Sequence, residues 1–420
     1  MKAACATVAV ALMSWGAIAG GARRGAEAPG LVESLLRSHP GRFEAVLERA
    51  DEYRVQVLYT QIDRDAENRP LFRSHGYRLQ TDRYFYPASA VKLPAAALAL
   101  EKLRDLAIPG LTRDTTLRIE AGTPAQTAVE SDPSAADGRP TVAHYIQKML
   151  LVSDNDAFNR LFEFLGQRWI NERLWEMGFT DVRILRRLAT GADPEESRTT
   201  NPMVFQGRDG REVYRQPLVR NPNHWRIEMD EVRQGRGFYR DGQLVLEPLD
   251  FSYSNYVSVE SLQGILKSIL FPEDVAEGQR FRLTPGDYGL LYRYLGMRPG
   301  EGMEPADPGR ETRPDSYVKP FLFGDANDPI PTSIRVFNKV GQAYGYLIDN
   351  AYVVDFESGV EFLLAAVIQT NANQIYNDDS YEYDEVGLPF LAGLGRAIYE
   401  HDRARERPRR PDLSRFRLHD

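Results

Sequence analysis

Ser89 and Lys92 stand three residues apart at the head of an otherwise almost wholly apolar stretch, YPASAVKLPAAALAL (residues 86–100). On a helix that spacing puts the hydroxyl and the amine on one face, a single turn apart. A serine hydroxyl is a weak nucleophile until a neighbouring base removes its proton. A desolvated lysine can become neutral near working pH and act as that base. Arginine cannot, because its guanidinium stays protonated. The chain uses seven lysines against 45 arginines, so a lysine at position 92 is suggestive. Ser89 suits an N-cap or first-turn position, where free N–H groups and the helix dipole favour negative charge. A nucleophile there could hold a developing oxyanion with its own N–H. Pro94 removes a backbone donor but still falls within the helix start.

Two further short motifs accompany this pair. Ser153-Asp154-Asn155 follows an apolar helical run at LLVSDNDAF, and Lys339-Val340-Gly341 lies in a β-rich stretch. The serine-aspartate-asparagine triplet is the more specific of the two, expected well below ~0.1 times by chance in a chain of this size. A second S-x-x-K spacing, Ser316 to Lys319, lies between Pro314 and Pro320. No helix would join its two side chains there, so it is read as chance.

The ordered set S-x-x-K, S-D-N and K-x-G resembles the serine-reactive penicillin-recognising family, in its class A β-lactamase form. The order of elements agrees from about residue 50 to residue 400. The resemblance implies an acyl-serine mechanism with Ser89 as nucleophile and Lys92 as proton acceptor. Ser153 would relay the proton to the leaving nitrogen, helped by the cationic field of Lys339. It further implies that Asn155 binds the substrate amide and orders Lys92, and that Gly341 lets substrate lie against the strand. The N–H groups of Ser89 and Gln342 would form the oxyanion hole, while Asp154 braces its turn. No metal or other cofactor is implied.

The chain departs from the family pattern in two places. Val340 replaces the threonine whose hydroxyl would meet a substrate carboxylate. The deacylating glutamate of the E-x-x-L-N motif has no counterpart at the family spacing. Glu195 and Glu196 in DPEESRTTNPM are the candidate bases, with Asn201 five residues after Glu196. Acylation is expected to be sound and turnover of the acyl-enzyme slow. The expected activity is hydrolysis of an amide or β-lactam. The same machinery would serve a D-alanyl peptidase or esterase acting on cell-wall peptides. A non-catalytic cell-wall or β-lactam-binding protein is the reading of another kind.

These motifs need elements to hold them. YRVQVLYTQIDRD and PLFRSHGYRL read as paired strands, and TVAHYIQKMLL, the run after SDN and INERLWEMGF read as helices. VESLQGILKSIL and PGDYGLLYRYLG are later amphipathic helices. IRVFNKVGQAYGYL, NAYVVDFE and VEFLLAAVIQT are late strands before a closing helix, GLPFLAGLGRAIYEHD. The expectation is an α/β (α+β) class A β-lactamase-like fold. Both chain ends form its antiparallel sheet, helices flank it, and an all-helical lobe is inserted. Residues 204–250, polar and Arg-rich, are expected to be an inserted hairpin or long loop whose RDGQ makes a turn.

Residues 1–19 read as an export signal: Lys2, then an apolar run, then AIA before a cut after Ala19. A hydrolase domain over 20–400 and a disordered basic tail over 401–420 complete the expected organisation. The single cysteine, Cys5, lies inside the signal, which leaves a mature chain with no disulfide, thiol nucleophile or thiolate metal site. A net charge of −8 and no long basic run outside the tail speak against nucleic acid as a partner. No later stretch reaches membrane-spanning length. The expected protein is exported, periplasmic or secreted, monomeric and without a membrane anchor. Its substrate would be a small molecule or a cell-wall peptide. Tyr84, Phe85 and Tyr86 are read by default as packing residues, with lining of the site as the alternative; His144 is read as an ordinary part-buried side chain, and NDDSYEYDE (377–385) as a solvated acidic loop, with a Ca²⁺ site as the alternative.

Overall fold

The computed structural model describes residues 29–135, 137–190, 193–301 and 314–418. The expected export signal, 1–19, lies outside the described residues. In chain order the principal early elements are helix α1 (Leu31–Arg37) and strands β1 (Gln56–Arg64) and β2 (Pro70–Tyr77). A lobe follows with α2 (Lys92–Leu106), β3 (Thr116–Ile119), α3 (Val142–Leu151), α4 (Asn155–Leu165) and α5 (Gln167–Glu176). Next come β4 (Met203–Gln206), β5 (Glu212–Gln216), β6 (Gly237–Arg240) and β7 (Gln243–Val245), then α6 (Val259–Leu270) and α7 (Pro285–Gly296). The chain returns to the sheet with β8 (Ile334–Asn338), β9 (Gly341–Ala343), β10 (Tyr346–Asp355) and β11 (Val360–Gln369). It closes with β12 (Ile375–Tyr376) and α8 (Leu388–Ala404).

The main sheet runs β8-β10-β11-β1-β2, with β9 also paired to β10, and every pairing is antiparallel. Both chain ends therefore share one sheet, joined where Leu58 of β1 faces Ala365 of β11. β10 and β11 are buried along their whole length, because helices cover both faces. The alternation is visible in β11. Phe362, Leu364, Ala366 and Ile368 pack with Leu391, Leu394 and Ile398 of α8, whereas Leu363, Ala365 and Val367 join the core that holds α2 and α6.

α2 is enclosed on nearly all sides, with every residue from Lys92 to Glu101 buried. That explains its Ala/Leu composition, which lets neighbouring helices approach closely. Pro94 is its third residue, where a backbone N–H has no intrahelical partner to lose. Glu101, fully buried on α2, is neutralised by Arg173 at 2.6 Å and Arg282 at 2.8 Å.

Two expectations need correction. The lobe is not all-helical, since β3, β4 and β5 form a three-stranded sheet against it. The basic tail is not a disordered appendage, because it is anchored by apolar side chains among its arginines. The Phe416 ring is fully buried against Tyr352 (4.9 Å between centroids), Phe337 (5.5 Å) and Phe271 (5.8 Å). Arg415 donates to Leu270 O at 2.8 Å. The polar segment after β5 carries the β6–β7 hairpin, whose turn at Asp241-Gly242 has positive φ at both residues, as a two-residue turn of the I′ kind requires.

Candidate active site

Ser89 sits in a 3₁₀ segment, Ala88–Val91, that runs straight into α2. Ala88, just before it, is held at φ 46°, and Ser153 at φ 58°, both in the left-handed region that non-glycine residues rarely occupy. Ser153 is in the tight turn between α3 and α4. Asp154 caps α4 by accepting the Ala157 N–H at 2.7 Å, which fixes that turn. Lys339 lies between β8 and β9, and its N–H donates to Asn350 O at 3.1 Å.

These segments converge on Lys92. Its Nζ lies 2.8 Å from Ser89 Oγ, 2.7 Å from Asn155 Oδ1 and 3.2 Å from Ser153 Oγ, and it also donates to Ser153 O. Lys339 Nζ donates to Ser153 Oγ at 2.9 Å and to Val340 O at 2.8 Å. Both ammonium positions are buried. Burial, and after it the neighbouring Lys339, pushes the Lys92 amine well below its ordinary range, against a weaker pull from Asp154. Burial brings Lys339 down to about 7, with the carboxylate of Asp349 opposing. The bonding of Lys92 agrees with a neutral amine. Ser153 O and Asn155 Oδ1 can only accept, so they take its two N–H bonds, which leaves one lone pair facing the Ser89 hydroxyl.

β9 forms the wall beside Ser89. A Cβ at Gly341 would meet Pro87 O at 2.6 Å and Ser89 N at 3.1 Å, so only glycine lets the strand come this close. Gln342 follows on the same strand and lines the cleft. That cleft, of about 410 Å³, also includes Ser89, Asn155, Leu188, Tyr86 and Tyr344.

The candidate deacylation bases lie elsewhere. Glu195 and Glu196 line a neighbouring cavity with Glu163 and Arg187, not the cleft around Ser89. The Glu195 carboxylate is held by Arg198 at 2.5 Å and Arg220 at 2.9 Å, and these cations keep its pKa below the usual range. Asn201 is a structural residue: its side chain donates to Glu120 O at 2.9 Å and Thr127 O at 3.0 Å. Leu188 and Ala189 line the cleft that holds Ser89. Leu188 is pinned there by paired bonds to Asn159, at 2.8 and 3.0 Å.

Other cleft residues escaped the sequence reading. Tyr381, Tyr383 and Asp379 line the cleft, although their acidic loop reads as solvated in sequence. Tyr86 also lines it, while Tyr84 and Phe85 are core residues. A tyrosine-rich segment directly after the last strand was the available signal. Lys319 of the second S-x-x-K spacing points away from Ser316, donating to Leu295 O, Val336 O and Asn338 Oδ1 at 2.6–2.8 Å. Among the described residues no helix is long and apolar enough to cross a membrane.

The β-lactamase enzyme family model matches residues 42–207, a span holding Ser89, Lys92, Ser153 and Asn155. Similar solved structures include a β-lactamase from Streptomyces albus G (15% identity, 88% of this chain and 99% of that one, TM-score 0.47). Another is a β-lactamase from Burkholderia vietnamiensis (16% identity, 90% and 98%, TM-score 0.47). A third is a β-lactamase from Desulfarculus baarsii (16% identity, 87% and 97%, TM-score 0.45). No curated protein matches the chain. The matched span and the serine–lysine centre within it make this a β-lactamase-like serine-reactive domain, and its enzyme class is a serine hydrolase of that type.

Proposed function

We propose that the chain is an exported hydrolase that forms an acyl-enzyme on Ser89 from an amide or β-lactam carbonyl and releases the acyl group slowly. The observation that carries this reading is the Lys92 amine, 2.8 Å from Ser89 Oγ with its N–H bonds committed elsewhere. Lys92 takes the Ser89 proton as Oγ attacks the carbonyl carbon. The oxyanion forms between the N–H groups of Ser89 and Gln342. Ser153, bridging Lys92 and Lys339, passes a proton to the leaving nitrogen as the C–N bond breaks. Hydrolysis of the ester then needs a base for water. Glu195 and Glu196, the candidate bases, line a neighbouring cavity instead, and this supports a long-lived acyl-enzyme. Export rests on the signal-like segment over 1–19.

Intact-mass analysis after incubation with a fluorescent penicillin tests this, on the native protein and on Ser89→Ala. One adduct per chain that disappears in Ser89→Ala is expected. An adduct that persists in the variant moves the nucleophile elsewhere. Labelling by D-alanyl peptide esters but not by penicillins would assign the same chemistry to cell-wall peptides.

A further inference from the structure

The cleft around Ser89 has an unusual far wall. Tyr86, Tyr344, Tyr381 and Tyr383 line it, and Asp379 is the one charged side chain among the described lining residues. No lysine or arginine is among the described lining residues. Lys339 is turned inward to Ser153 and Val340 O, and Arg186, close enough to act on the Tyr86 phenol, donates to Thr190 O at 3.0 Å. Val340 has no hydroxyl to offer an anion. The cleft thus presents tyrosines and a carboxylate, with no cationic side chain among its described lining residues to pair with a substrate carboxylate.

The wall is preformed. The Tyr383 hydroxyl accepts the Gly345 N–H at 2.8 Å, and the Tyr381 hydroxyl accepts the Asn377 N–H at 2.9 Å. These bonds fix both rings beside the β9–β10 turn, with their centroids 5.5 Å apart. The polar insertion supplies the buttress. β12 pairs with β6, Asn377 Nδ2 donates to Tyr239 O at 3.1 Å, and Gln234 Oε1 accepts from the Tyr376 hydroxyl at 2.9 Å. Gly235 permits this contact, since a Cβ there would meet Gln374 O at 2.6 Å. The insertion between β5 and α6 is therefore a structural part of the active-site cleft.

We infer that the Ser89 cleft selects acyl donors carrying a cationic ammonium group, held over the tyrosine faces beside Asp379, and discriminates against anionic ones. The inference rests on the acyl-serine reading above and adds the charge of the substrate to it. An ammonium is attracted to an aromatic face and, more weakly where solvent has access, to a carboxylate. Acting together, the two give a preference of about tenfold over a neutral isostere.

The test uses three p-nitrophenyl esters of equal chain length, ending in trimethylammonium, tert-butyl or carboxylate. The second-order acylation rate is read from the p-nitrophenolate burst, with Ser89→Ala as the control for reaction at Ser89. The native protein is expected to react with the trimethylammonium ester about tenfold faster than with its tert-butyl isostere, and slowest with the carboxylate. Asp379→Asn is expected to reduce the ratio of the trimethylammonium rate to the tert-butyl rate about threefold to fivefold. Asn tolerates the left-handed backbone at 379 (φ 56°), so the loop is kept. Equal rates for the three esters, a preference for the carboxylate, or a cation preference untouched by Asp379→Asn would overturn the inference and leave acylation at Ser89 standing. Absence of Ser89-dependent acylation by all three would remove both readings together.

Discussion

Lys92 is the position where stability and function should separate most clearly. Its amine is fully buried, and in the folded chain its pKa lies well below the ordinary lysine value. The unfolded chain therefore binds this proton more tightly than the folded one. The sign follows: the group's cost is full below its folded pKa and is relieved as pH climbs toward the unfolded value near ~10.4. Lys92→Met removes that cost, a relief of about 1–4 kcal/mol for replacing a buried charge by an apolar group of similar volume. It also removes donors to Ser153 O and Asn155 Oδ1, at about 1 kcal/mol each. The net expectation is a Tm equal to or above that of the native protein. Acylation of Ser89 should fall by about 10²–10⁴-fold, the ordinary contribution of a general base. Lys92→Arg should be as inactive and less stable, because it forces a permanent charge into the same space. The native acylation rate should rise from acid pH as the Lys92 amine loses its proton, with that limb lying well below pH ~10. The assay is intact-mass acylation kinetics from about pH 5 to 10, with thermal melts of each variant. Two results would refute the reasoning: Lys92→Arg acylating within about fivefold of native, or a plateau reached only near the pKa of an ordinary lysine.

Asp349 lies buried behind Lys339, and its carboxylate accepts from Asn338 Nδ2 at 2.7 Å. Because it raises the Lys339 pKa, Asp349→Asn should move the basic limb of the acylation profile, set near 7 by Lys339, to lower pH, while Lys319→Met should move it little. Pre-steady-state kinetics should show a burst of one product equivalent followed by a slow phase. Glu195→Gln and Glu196→Gln should each change the slow rate by less than about twofold, since neither lines the Ser89 cleft; loss of turnover in either would restore that residue as the base. Phe416→Ala should destabilise by about 3–5 kcal/mol, as expected for a fully buried ring, visible as a lowered denaturation midpoint at unchanged acylation rate.

Local patterning was enough to single out Ser89 and Lys92 as a candidate nucleophile and base. Ser89 and Lys92 are one helical turn apart, and the Ala/Leu run after them reports a helix buried all round, so both are legible from neighbouring residues. Strand alternation likewise disclosed the sheet built from both chain ends. Convergence is a different matter. Ser153 reaches Lys92 across 61 positions and Lys339 reaches Ser153 across 186, contacts that no periodicity encodes. Sequence spacing set Glu195 and Glu196 near the motif of a deacylating base, but the fold turns them to another cavity and ties Glu195 to arginines. The acidic segment 377–385 looked solvated because each residue is polar in isolation. Pairing of β12 with β6 draws it against the cleft and presents its tyrosines to Ser89. Phe416 shows the same limit, since a single ring among arginines carries no pattern until long-range packing buries it. Sequence determined which groups could react, and tertiary packing decided which of them meet, because burial and contact arise between segments rather than within them.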